Sequence, residues 1–443
     1  MTEPSSGISP KDRNRAVIAG FLGWMLDAFD FALVPIASTA IARDLNVSNK
    51  VVIGSIMATL AARPLGAIIF GLIADRYGRR TPLMINLIFY SVIEVLTGFA
   101  PNISTFLVLR FLFGIGMGGE WGVGASLMME KISPKFRGLL SGLLQEGYAF
   151  GGLLAALAFA WIYPSFGRWF PQVPSWRLLF FIGGLPAILA LFVRYGIRES
   201  EVWRATKSES WSDLLGTVRA HWKLLLYIVV LMSMFNFASH GTQDLYPTFL
   251  KSDNQLEKSP ATVGTITAIT QVGAILGGLM FGFLSDRIGR RRAMILAFFG
   301  AVLCVRLWAF APVGHLALLA LGGFLIQFMV QGAWGVVPAH LTELAPDSVR
   351  GFLPGFGYQC GALISGTLPF LQETLAESFP RPRVMAVTCV VVFLLGALVV
   401  YLGNERKGRH FGDGEPAQRD AGEGDSPKTP AFSRRLVFSP KTT

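Results

Sequence analysis

Asn236-Phe-Ala-Ser239-His240-Gly-Thr-Gln243-Asp244-Leu-Tyr-Pro-Thr248 places five polar side chains within an apolar run. At about 100° per residue, Asn236, His240 and Asp244 step by about 40° each, with Ser239 and Gln243 beside them. They share one helical face of about 140°. His240 and Asp244, at i and i+4, can exchange a hydrogen bond and share a proton. A lone histidine in such a run reads as a satisfied structural residue; four polar neighbours on its face favour a functional one. A polar stripe on an apolar helix belongs against a water-lined cavity rather than lipid.

The other ionisable residues within apolar runs are Asp27, Asp30, Arg63, Glu94, Arg110, Glu120, Glu146 and Arg306. Such groups are costly in a membrane and are candidates for function. Arg63 precedes Asp75 by twelve residues, which puts it about 18 Å from a helix end, near a membrane midplane. A guanidinium there can hold a carboxylate bidentately and stays charged; Glu94 and Glu120, at comparable depths, are the rival partners. Asp30 and Arg110 fall at similar depths and could meet, either as a proton switch or as a permanent ion pair. Glu94 and Arg306, near equivalent repeat positions, read as structural partners, and Glu146 has no assigned role.

Twelve apolar segments are long enough to position these groups across a bilayer. They cover 16–41, 51–73, 82–101, 104–129, 138–161 and 178–196, then 223–250, 260–284, 293–312, 315–341, 352–374 and 382–403. The first is too long for a signal-peptide core and carries Asp27 and Asp30, so it reads as an uncleaved helix. Residues 1–15 and the polar connection 197–222 read as cytoplasmic, and the Gly-, Pro- and charge-rich stretch 404–443 as a disordered cytoplasmic tail.

The halves repeat. Gly71-Leu-Ile-Ala-Asp75-Arg76-Tyr-Gly78-Arg79-Arg80 returns 211 residues later as Gly282-Phe-Leu-Ser-Asp286-Arg287-Ile-Gly289-Arg290-Arg291. Trp121-Gly-Val returns as Trp334-Gly-Val, and Glu130…Pro134…Arg137-Gly138 as Glu343…Pro346…Arg350-Gly351. Three motifs in one order predict an all-α membrane protein of two six-helix repeats, 16–196 and 223–403, around a central site.

The paired G-x3-D-R-x-G-R-R loops, with Arg110-x3-Gly114-x-Gly116, resemble the major facilitator superfamily over residues 15–403. The resemblance implies a gating role for Asp75, Arg79, Arg80, Asp286, Arg290 and Arg291; the alternative is that the arginines only set topology. Asp27-Ala-Phe-Asp30 resembles the D-G-Y-D of the aromatic-acid porters, which implies a proton switch involving Asp27, Asp30, Arg110 and Glu120. The 236–248 segment is similar to the N-x2-[ST]-H-x2-Q-D-x3-T signature of fungal lactate permeases, in the sialate:proton symporter family. That likeness implies symport of a proton with a short monocarboxylate such as lactate or pyruvate. Substrate contacts would come from Arg63, Asn236, His240, Gln243 and Gln359, and proton coupling from His240 and Asp244. The family pattern has Asn three residues after the glutamine, where this chain has Ala362, and that departure leaves the acid open. Sialic or aromatic acids are the rival substrates, and a non-transporting membrane sensor is the rival class.

Composition agrees. Of 443 residues, 52% are hydrophobic and only 15% charged, too few charges to cover soluble domains. With both termini cytoplasmic, most of the +11 net charge falls in cytoplasmic segments, as the positive-inside rule requires, while the membrane interiors are acidic. The basic excess therefore predicts contact with a lipid bilayer, not with nucleic acid. No G-x4-G-K-[ST] loop, nucleophile–base set or metal-ligand spacing occurs, and Cys304, Cys360 and Cys389 lack CxxC spacing. The expectation is a carrier, not an enzyme, with a carboxylate anion and a proton as its partners and no cofactor or metal.

Overall fold

The computed structural model describes residues 9–208, 210–252 and 260–412. Its membrane helices are α1 (Pro10–Asp44), α2 (Asn49–Tyr77), α3 (Arg80–Gly98), α4 (Ile103–Glu130), α5 (Arg137–Leu157) and α6 (Ser175–Val193). They continue as α7 (Trp222–Leu250), α8 (Pro260–Ile288), α9 (Arg290–Ala309), α10 (Leu316–Leu344), α11 (Phe352–Ser365) and α12 (Arg381–Leu402). Among the described residues ten helices are long and apolar enough to cross a membrane. The other two predicted segments are interrupted. A π turn at Ala158–Ile162 carries α5 into Tyr163–Trp169, and α11 resumes as Leu368–Ala376.

Large apolar side chains face outward, Leu303, Phe370 and Val387 among them, where lipid takes the place of a core. Inside, small residues set the spacing. A Cβ at Gly114 or Gly118 of α4 would sit 2.3 Å from the carbonyl oxygen of Thr59 or 1.9 Å from that of Arg63. Only glycine allows α4 to lie this close to α2. This contact fixes the depth and direction of Arg63. Gly118→Ala should drive the two helices apart, at a cost of about 1–3 kcal/mol. Thermal unfolding of the detergent-solubilised variant checks the stability, and uptake should fall with it.

Capping residues set the helix ends. Asn102 Oδ1 accepts from Thr105 N at 2.9 Å and starts α4. Gly78 and Gly289 lie at φ +108° and +104°, a region costly for any side chain, and turn the chain sharply out of α2 and α8. In α7 the helix breaks at Asp244-Leu245 and restarts at Tyr246. Pro247 has no N–H to return to the carbonyl of Gln243. The predicted stripe thus ends at a helix break, which leaves Asp244 at the mouth of its segment. The polar connection predicted at 197–222 contains two short helices, Glu201–Thr206 and Trp211–Ala220.

Candidate functional site

Arg63 sits in the N-terminal half with 4% of its surface exposed. Its Nε and Nη2 are buried and make no hydrogen bond, while its guanidinium carbon lies 5.6 Å from the Tyr358 ring centroid. Tyr358 comes from α11, so the two halves meet at this contact. Trp121, Trp334 and Trp24 surround that ring at 4.8, 5.6 and 6.1 Å. Trp121 and Trp334 are repeat equivalents and converge on the same tyrosine, giving Arg63 an aromatic floor. Tyr358 had no signal of its own beyond adjacency to Gln359.

Asp27 and Asp30 are fully buried on α1, and none of their carboxylate oxygens has a hydrogen-bond partner. Asp27 feels the charge of Arg63. Asp30 feels the charge of Arg110, but Arg110 makes its ion pair with Glu94 of α3. Its Nη2 also donates to Thr97 Oγ1 at 2.8 Å. Glu94 thus takes the place the depth argument gave to Asp30, because α3 packs directly along α4. Glu94 therefore does not neutralise Arg63. Glu120 turns toward Gly23 of α1, where an added Cβ would meet its Oε1 at 2.3 Å, and its Oε2 is buried without a partner.

On α7, His240 Nδ1 and Asp244 Oδ2 lie 2.9 Å apart with side chains 30% and 39% exposed. Water therefore reaches this pair. Gln243 Nε2 donates to Gln327 Oε1 at 2.9 Å, and Trp334 Nε1 donates to Ser239 Oγ at 2.7 Å. Asn236 shares the stripe but donates back to the carbonyl of Met232 at 2.8 Å, so its amide nitrogen is engaged within its own helix. Gln359 of α11 donates to the carbonyl of Gly118 at 3.3 Å, crossing between halves, and its Oε1 is buried without a partner. Gln327 escaped the sequence reading because a glutamine in an apolar run carries no charge signal, and Trp334, seven residues further along α10, was visible only as a repeated residue.

The loop end of the molecule is sealed. Asp75 accepts from Gly351 N and Phe352 N at 2.8 and 2.9 Å; Asp286 accepts from Gly138 N and Leu139 N at 2.8 and 2.9 Å. Each aspartate thereby caps the first turn of a helix in the opposite half, a favourable place for a carboxylate. Glu130 pairs with Arg79 and Arg350 at 3.3 and 3.2 Å, and Glu343 with Arg290 and Arg137, both at 3.0 Å. Each glutamate therefore joins an arginine of its own half to one of the other. Burial alone would lower the Arg79 pKa, but Asp75 and Glu130 raise it above the ordinary value, so it remains a cation in the seal. Arg80 and Arg291 stand apart from these bridges: Glu199 accepts from Arg80 N at 3.1 Å, and Arg291 Nε donates to the carbonyl of Val400 at 2.9 Å. Glu130, Arg137, Glu343 and Arg350 were visible only as repeated residues.

A cavity of about 570 Å³ also lies at this end, beside Asp213, His221, Asp347 and Arg409. There Asp347 and Arg409 are already paired with each other at 3.1 Å, whereas the Arg63 region combines a buried cation whose Nε and Nη2 are unused with the polar face of α7. We place the candidate site at Arg63.

The family model "Major Facilitator Superfamily" matches residues 19–254 and 245–442. The chain belongs to the Major Facilitator Superfamily. As a member of that superfamily it is a multi-pass membrane transporter rather than an enzyme. It is 29% identical to a carboxylic acid transporter protein homolog of Saccharomyces cerevisiae, over 87% of this chain and 67% of that one. It is 30% identical to the sialic acid transporter NanX of Escherichia coli, over 91% and 96% of the two chains. The solved structure of the proton:xylose symporter XylE superposes with a TM-score of 0.70 at 18% identity, covering 90% and 98%. That likeness carries the fold of this superfamily member and its two-half architecture.

Proposed function

We propose that this protein is a proton-coupled symporter that imports a short-chain monocarboxylate of the lactate or pyruvate type by alternating access. The observation that carries the reading is Arg63, a buried guanidinium with two hydrogen-bonding nitrogens unused. An anionic carboxylate satisfies them bidentately. The carboxylic acid and sialic acid transporters among its relatives support an organic acid as cargo. The exposed His240–Asp244 pair would take the proton from the open side, with Asp27, Asp30, Arg110 and Glu120 forming the proton-sensitive set behind Arg63. Asn236, Gln243 and Gln359 would orient the substrate, and the loops at Asp75 and Asp286 would gate it. In this reading the protein sits in the cell membrane with both termini and the sealed end cytoplasmic, so the structure is outward-facing.

Uptake of labelled lactate into vesicles under an imposed inward proton gradient tests it. We expect uptake to follow the gradient and to collapse with an uncoupler; uptake indifferent to the uncoupler removes the proton. His240→Ala should lower gradient-driven uptake by about tenfold, the effect of losing one proton carrier, while exchange of substrate at equal pH on both sides falls less. The sialic acid relative favours a second reading, a larger organic acid. Competition by sialic and aromatic acids against labelled lactate separates the two.

A further inference from the structure

The chain beyond α12 crosses the sealed end. Glu405 accepts from Arg291 N at 2.9 Å, Lys407 Nζ donates to the carbonyl of Arg287 at 2.9 Å, and Arg409 donates to the carbonyl of Ala345 at 2.9 Å and to Asp347 at 3.1 Å. Gly412 N donates to Asp347 Oδ2 at 2.9 Å. All of these partners belong to the C-terminal half. Two contacts reach the other half: Arg137 Nη1 donates to the carbonyl of Arg409 at 2.9 Å, and the Phe411 ring meets Arg137 itself.

The guanidinium carbons of Arg137 and Arg350 lie 3.8 and 3.7 Å from the Phe411 ring centroid. A group can come so close to a centroid only over a ring face, and two guanidiniums cannot occupy the same one. The ring is therefore held between them. These arginines are repeat equivalents from opposite halves, and each already pairs with a glutamate of the other half. Both faces of a phenyl ring are electronegative, so one ring attracts both cations and separates two charges that would otherwise repel.

We propose that Phe411 is a latch of the transport cycle: a strap anchored on one half lodges its ring between the two gate arginines, and must withdraw before the sealed end opens. The charge logic is specific. Withdrawal leaves Arg137 and Arg350 facing each other, so the arginine pair that the latch holds together favours separation once it leaves. The inference rests on the cross-half geometry and on the superfamily's two-half architecture, not on the identity of the substrate.

The test therefore needs no substrate. Ser126 on α4 is fully buried and bonds only within its own helix, to the carbonyl of Val123 at 2.9 Å. It lies one turn from Gly122, where an added Cβ would meet the Gly355 backbone of the opposite half, so it reports opening of the seam. Ser126→Cys is placed in the full chain with Cys304, Cys360 and Cys389 replaced by serine, and its reaction with a membrane-impermeant maleimide is timed. Phe411→Ala and Phe411→Leu should each raise the labelling rate about tenfold, the share of closed state lost with the arginine–ring contacts. Phe411→Tyr, which keeps the ring, should label at the parent rate. Phe411→Leu keeps apolar bulk at a site beyond the last membrane helix, so it separates lost packing from lost ring charge. Parent-like labelling of either Phe411→Ala or Phe411→Leu overturns the latch, as does rapid labelling of Phe411→Tyr.

Discussion

Arg63→Ala should lower substrate uptake by roughly 100-fold. A bidentate, charge-assisted contact to a carboxylate contributes about 3 kcal/mol when the rest of the site is dry, and that is the factor such an energy converts to. The buried setting makes the estimate more than a generic one: Arg63 has 4% exposure, so water cannot stand in for the missing donors. Arg63→Lys is the sharper variant. It keeps the charge but offers a point donor on a different stem, loses the planar fork, and loses the guanidinium's seat over Tyr358. We expect it to fail nearly as badly as alanine. Uptake of labelled lactate at matched membrane abundance checks both, and equilibrium binding of the same acid to purified protein shows where the loss falls. Parent-like uptake by Arg63→Ala would end the reading of Arg63 as the anion site. A lysine variant with full activity would leave the charge but remove the bidentate contact.

How much of this could be read beforehand depends on the kind of signal. The twelve segments and the repeat were legible because hydropathy and the spacing of Asp75 with Asp286 are local properties. His240 and Asp244 were legible because one helix turn fixes their separation, and the structure places them 2.9 Å apart. Partners on different helices were not. Depth pointed Arg110 to Asp30, and only the packing of α3 along α4 sends it to Glu94. Likewise no spacing rule brings Tyr358 of α11 over Arg63 of α2, or Phe411 between Arg137 and Arg350. The stretch from 404 reads as tail by composition, yet residues 405–412 are packed against the gate, held by hydrogen bonds to backbone groups and to Asp347 that no spacing or composition announces. The remainder of that stretch, 413–443, and residues 1–8 lie outside the described residues.

Asp75→Asn and Asp286→Asn should each open the sealed end, and the pair should show how one equilibrium is shared by two clamps. Each aspartate is bonded to two backbone N–H groups at the start of a helix in the opposite half and is paired with an arginine of its own half. Asparagine keeps the shape but presents one amide donor to those N–H groups and removes the charge that offsets Arg79 or Arg290. Breaking a buried pair on one side costs about 3 kcal/mol, here charged only to the sealed state. One substitution should therefore cut the transport rate by at least about tenfold and speed labelling of Ser126→Cys. Because both aspartates stabilise the same state, their free energies add while the populations saturate. The double variant should thus transport little worse than the single variants if one loss already empties the sealed state, and far worse if it does not. Labelling rates distinguish these cases, since they track the remaining sealed fraction directly. Parent kinetics in a correctly inserted Asp75→Asn variant would remove Asp75 from the gate, and leave the Glu130 and Glu343 bridges as what holds the two halves together.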